Sequence, residues 1–137
     1  MIEATEGEAP MFQNMQVLDA SIALAKNAGR RQAASAQNLA NADTPGYKAL
    51  RVSTFQASFD SASGQQIKTT RSQHTGSAAP FAFQDQIINR TSADPNGNAV
   101  NLEEEMMEAA QAKSDHTKAL SIIQSSLKIL RLSLGKS

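Results

Sequence analysis

The chain has 137 residues, no formal net charge at neutral pH and no cysteine. This excludes a disulfide framework and a thiolate metal site, and gives no general attraction to nucleic acid or anionic lipid. Five phenylalanines and one tyrosine are the only aromatics, so the large side chains from which a compact domain of this length builds its core are scarce.

Residues 1–13 begin with the acidic run MIEATEGEAP, which lacks the basic and apolar regions of a secretory signal. They read as a flexible segment. No apolar run approaches the roughly 20 residues of a membrane span. The expectation is an intracellular protein, or one that leaves the cell without a cleaved signal.

Residues 14–43 read as the first helix. Met15, Leu18, Ile22, Ala25, Gly29, Gln32, Ala36 and Leu39 alternate in steps of three and four, which is an a/d seam. Its middle is thin, because Ala25, Gly29 and Ala36 are small. Arg30 and Arg31 read as a solvated basic pair.

The helix ends in NLANADTPGYKAL. Pro45 lacks an N–H and pushes Thr44 out of the helical region. Pro45-Gly46 suits the centre of a type II turn, with Gly46 at positive φ. Asn38 and Asn41 share a helix face although asparagine is unfavourable inside helices. Their amides are expected to bond another segment's backbone, and Tyr47 to project from the turn. Asn38, Asn41, Thr44, Pro45, Gly46 and Tyr47 thus form a candidate assembly junction.

Residues 44–100 hold no period between the turn and the second helix, and are rich in Ser, Thr, Gln and Gly. Two islands, VSTFQASF and PFAFQDQII, suit short strands or docking segments. ADPNGNAV reads as a turn.

Residues 101–134 read as the second helix, about 50 Å long at 1.5 Å per residue. Asn101 caps it, Glu104 completes a capping-box pattern, and Glu103, Glu104 and Glu105 complement the dipole of a solvated first turn. The predicted seam runs through Leu102, Met106, Ala109, Lys113, His116, Leu120, Ile123, Leu127, Leu130 and Leu134. Gly135 stands at the C′ position. The fold expected is mainly α, two long helices pairing as a coiled coil around an irregular, short-stranded middle.

The stretch Asn38–Tyr47 resembles the signature of the flagellar basal-body rod family, an Asn-x-Ala-Asn-x-x-Thr-Pro-Gly-Tyr pattern. The opening of the second helix, NAVNLEEEMMEAAQAKS, is similar to the C-terminal helix of that family, especially of the short proximal rod proteins. The resemblance covers residues 14–52 and 98–134. It implies a structural subunit whose terminal helices pair and stack into a tube that transmits torque. It also implies assembly with copies of itself, other rod proteins, and membrane-ring and rod-junction proteins, after passage through the flagellar export apparatus. The location implied is the periplasmic part of the basal body.

No catalytic constellation accompanies this. His74 and His116 are isolated, no thiol exists, and no P-loop or dinucleotide fingerprint occurs, so neither metal nor cofactor is expected. Met106 and Met107 read as packing residues. The NRT triplet at Asn89 fits a glycosylation pattern that is common by chance. The competing reading is a helical adaptor or export chaperone, which would form closed complexes where a rod subunit forms open-ended ones.

Overall fold

A computed structural model describes residues 9–57, 59, 85–87 and 95–135. Helix α1 spans Ala9–Ala40, strand β1 Leu50–Val52, strand β2 Asp85–Ile87, and helix α2 Leu102–Ser133. The fold is mainly helical, as the periodicity predicts. α1 starts earlier than expected, inside the segment read as flexible. The two helices pack together and run antiparallel, since Asn98 before α2 meets Asn41 after α1 while Arg31, ten residues earlier, meets Glu108 and Asp115 further along α2.

The helix ends follow the local chemistry. The Asn101 side chain accepts the backbone N–H groups of Glu103 and Glu104, which closes the start of α2. At its other end Gly135 takes φ +66°, and its N–H reaches the Leu132 carbonyl.

Among the described residues the middle holds a two-stranded antiparallel sheet with Leu50 opposite Ile87, Arg51 opposite Gln86 and Val52 opposite Asp85. The first predicted island contributes only Val52 to a strand. Its continuation forms a helical turn at Phe55–Ala57, with Phe59 tilted against Phe55. The second contributes β2. His74 and Asn89 lie outside the described residues.

The contact between the helices differs from the predicted seam. In α1 the buried residues include Ser21, Asn27, Ala28, Arg31, Ala34, Ser35 and Asn38. In α2 they are Glu105, Ala112, Ala119 and Ser126, seven residues apart in each step. The expected spacing is present, but its phase is displaced by one residue in both helices. Ser21, Ala28, Arg31, Ser35 and Asn38 stand where Ile22, Gly29, Gln32, Ala36 and Leu39 were predicted. Glu105, Ala112, Ala119 and Ser126 replace Met106, Lys113, Leu120 and Leu127. One residue is a rotation of about 100°.

Consequently Met15, Ile22, Leu39, Leu102, Met106, Leu120, Leu127 and Leu134 are exposed, while Leu18, Ile123 and Leu130 are half-buried at the margin. The physical reason is backbone approach. Alanine and serine let the helices come close, which gains dispersion over a long contact. Large side chains on that face would hold them apart. Two expectations of solvated charge also fail. Arg31 is only 5% exposed, and Glu105 is buried at the start of the contact.

Candidate assembly site

The stretch singled out in the sequence builds a lock between the end of α1 and the start of α2. Thr44, Pro45, Gly46 and Tyr47 form a turn in which the Tyr47 N–H donates to the Thr44 carbonyl at 3.3 Å. Gly46 has φ +70°, as the third residue of a type II turn requires. A second turn, Pro95–Asn98, lies against it, with Gly97 at φ +79°. A Cβ built on Gly97 would stand 3.5 Å from the Gly46 Cα, so the two turns meet backbone to backbone. The Gly46 N–H donates to the Asn96 carbonyl and the Ala99 N–H to the Tyr47 carbonyl, each at 3.0 Å.

Asn98 closes the lock. It is 2% exposed. Its Nδ2 lies 2.7–2.9 Å from the carbonyl oxygens of Asn41, Ala42 and Thr44. Its Oδ1 accepts the Val100 N–H at 2.8 Å. The carbonyls just past the end of α1 thus gain a donor from the far side of the chain.

Asn38 does the same for β1. Its Nδ2 donates to the Leu50 carbonyl at 2.7 Å and its Oδ1 accepts the Leu50 N–H at 2.8 Å. The Tyr47 hydroxyl also donates to that Oδ1, at 3.2 Å. Asn38 therefore bonds another segment's backbone as expected, within its own chain. Asn41 does not. Its Nδ2 donates to the Gln37 carbonyl of its own helix, and its Oδ1 accepts the Thr44 hydroxyl. Tyr47 is half-buried against Asn38.

Three contributors were missed in the sequence. Asn98 was read as part of a plain turn. Asn27, fully buried, donates to the Ser53 carbonyl at 2.7 Å, and its Oδ1 has no hydrogen-bond partner among the described residues. Its spacing from Asn38, three helical turns, was the available signal. Arg31 was the third. Its Nε lies 2.6 Å from Glu108 Oε1 and its Nη1 2.8 Å from Asp115 Oδ2. Burial alone would lower the guanidinium pKa, but hydrogen bonding and attraction from Glu108, then Asp115, raise it above its ordinary value. The pair is charge-assisted on both sides.

Large apolar side chains beside the inner contact stay partly in solvent. Met106, Met107, Leu120, Ile122, Leu127, Ile129 and Leu132 on α2, and Leu134 just past its end, are each 39–73% exposed. Met15, Val17, Ile22 and Leu39 on α1 are exposed as well. Leu127 lines a shallow depression with Gln124, Lys128 and Arg131.

Among the described residues no helix is long and apolar enough to cross a membrane, and no group of three or more His, Cys, Asp or Glu is placed to hold a metal ion. No curated protein matches the chain closely enough to add a relative. One family does match: the sequence model described as Flagella basal body rod protein aligns with residues 23–48, the segment that holds Asn27, Arg31, Asn38 and the Thr44–Tyr47 turn, and this supports the rod protein family and a structural role.

Proposed function

We propose that the chain is a subunit of the proximal rod of the bacterial flagellum, most like the rod protein FlgB, and that it assembles helically with copies of itself and other axial proteins. In this reading it reaches the periplasmic rod through the flagellar export apparatus. There it joins the membrane ring and rod-junction proteins to the hook, and carries torque between them. The predicted seam residues Met15, Ile22, Leu39, Leu102, Met106, Leu120, Leu127 and Leu134 serve contacts between subunits. Leu18, Ile123 and Leu130 border both contacts.

The observation that carries this reading is the division of labour on α2. Small residues meet α1, and the large apolar residues beside them keep 39–73% of their surface in solvent. A helix pair that ended as a monomer would gain about 1.5–3 kcal/mol for each such side chain it buried. Leaving them outside stabilises the chain only when neighbours cover them. The turn lock sets the relative position of the two helices, so every copy presents the same outer face.

Leu127→Asp tests it. A carboxylate buried without a partner in a subunit contact costs several kcal/mol. Motility and rod formation should be lost in a strain carrying the variant, with export of the altered subunit confirmed. Normal rods would remove the assembly role of this face.

A further inference from the structure

The turn that closes the lock carries a chemistry that assembly does not use. Asn96 is exposed, and it is the only asparagine of the chain followed by glycine. Glycine has no Cβ, so the Gly97 backbone nitrogen is the least hindered nucleophile a peptide chain offers its preceding side chain. The Asn96 Oδ1 accepts the Asn98 N–H at 3.0 Å. That bond folds the carboxamide back over its own main chain and withdraws electron density from Cγ, which makes the carbon more electrophilic.

We propose that Asn96 is a site of spontaneous deamidation, and that the isoaspartate formed there unlocks the end of α1. The Gly97 nitrogen, its proton taken by solvent base, bonds to Asn96 Cγ. The Cγ–Nδ2 bond breaks, and Nδ2 takes up a proton and leaves as ammonia. The product is a cyclic imide. Water then opens the ring at one of its two carbonyl carbons. Attack at Cγ returns the main chain to its original path and leaves aspartate. Attack at the main-chain carbonyl carbon leaves isoaspartate, in which the chain continues through Cβ and Cγ. Water is the only co-reactant, and no electron changes hands.

Isoaspartate lengthens the main chain by one methylene where the lock has least slack. The Asn96 carbonyl that receives the Gly46 N–H becomes part of a pendant carboxylate. Gly97 shifts from its close approach to Gly46. Asn98, two residues on, is carried away from the Asn41, Ala42 and Thr44 carbonyls. The other asparagines are followed by larger residues, and Asn27, Asn38 and Asn98 are buried, so reaction concentrates at Asn96.

The test ages the purified full chain at mildly alkaline pH, tags isoaspartate with an isoaspartate-specific methyltransferase, and maps the tag by tandem mass spectrometry. Amide hydrogen exchange of Thr44, Gly46 and Tyr47 is followed in the same samples. The tag should accumulate at residue 96 ahead of every other asparagine, with loss of protection at these amides in the tagged fraction. Asn96→Gln, whose longer side chain closes a larger ring slowly, should lose the tag. Asn96→Asp, which adds the charge without the methylene, should retain most of the protection. An intact Asn96 when other asparagines have reacted would overturn the proposal. So would isoaspartate at 96 with protection unchanged, or fresh protein in which those amides are unprotected.

Discussion

The two faces of α2 obey opposite rules. The face against α1 is built from Glu105, Ala112, Ala119 and Ser126, with Glu108 and Asp115 at its edge around Arg31. The flanks beside it carry leucine, isoleucine and methionine that remain partly exposed. In a self-sufficient helix pair the assignment would be reversed. The inner contact therefore supplies register and close approach, and much of the large apolar surface stays outside it. Polar groups suit the inner role because a misplaced guanidinium or amide is costly, whereas leucines tolerate sliding.

Arg31→Ala should break this division most severely. It leaves two largely buried carboxylates without their common partner and opens a cavity between the helices. Removing one member of such a pair costs about 3–5 kcal/mol. Because Glu108 and Asp115 keep 24% and 18% of their side-chain surface in water, the expectation is the lower end, about 3 kcal/mol. Urea unfolding followed by far-UV circular dichroism reads it. A loss below about 1 kcal/mol would mean that the cluster is no more than a surface pair.

Asn38→Ala should come next. It strips both backbone groups of Leu50 of their partner, at about 1–3 kcal/mol for each group left buried and unpaired. The same unfolding experiment measures it. Tyr47→Phe, which keeps Leu50 satisfied, should cost less than Asn38→Ala, and equal losses would show that the hydroxyl, not the amide, carries the effect.

Gly46→Val tests the lock by strain alone, since nothing stands within 4 Å of a Cβ added there. A β-branched residue held at φ +70° costs about 1–3 kcal/mol. The loss should appear as faster hydrogen exchange at Tyr47 and Ala99, with the Arg31 contact intact. Uniform loss along both helices would mean that lock and inner contact fail as one unit.

Leu127→Asp should have the smallest effect on the folded chain, about 0.5–1 kcal/mol, because the side chain is 42% exposed and lies outside the buried row. Its effect on assembly is expected to be complete. That contrast is the sharpest form of the difference between the two faces. A strongly destabilised chain would place Leu127 back in the inner contact.

The sequence carries some of this plainly and hides the rest for identifiable reasons. Asn101, Gly135, Pro45 and Gly46 act through neighbours one to four residues away, so their roles as cap, stop and turn were legible. The seven-residue spacing was legible too, because any helix contact imposes it. The phase was not. Periodicity fixes the interval but leaves the rotation open, and choosing the most apolar row selects Leu120 and Leu127 over Ala119 and Ser126. That choice assumes that the helices bury their grease against each other. Arg31 and Asn98 were illegible for a different reason. Their partners lie 77 and 84 residues away for Arg31, and 54 to 57 for Asn98. Nothing local distinguishes a guanidinium that reaches a distant carboxylate from one that reaches water.

One bond pattern has a bearing on what the chain does not do. Asn38 offers Leu50 a donor and an acceptor together, as a neighbouring strand would. A residue in a strand directs both its backbone groups to one side, so Asn38 occupies the margin of β1 that β2 leaves open. A bare margin of that kind recruits other chains into sheets without limit. An unguarded strand would offer a disordered route of polymerisation. A single amide blunts that margin of β1.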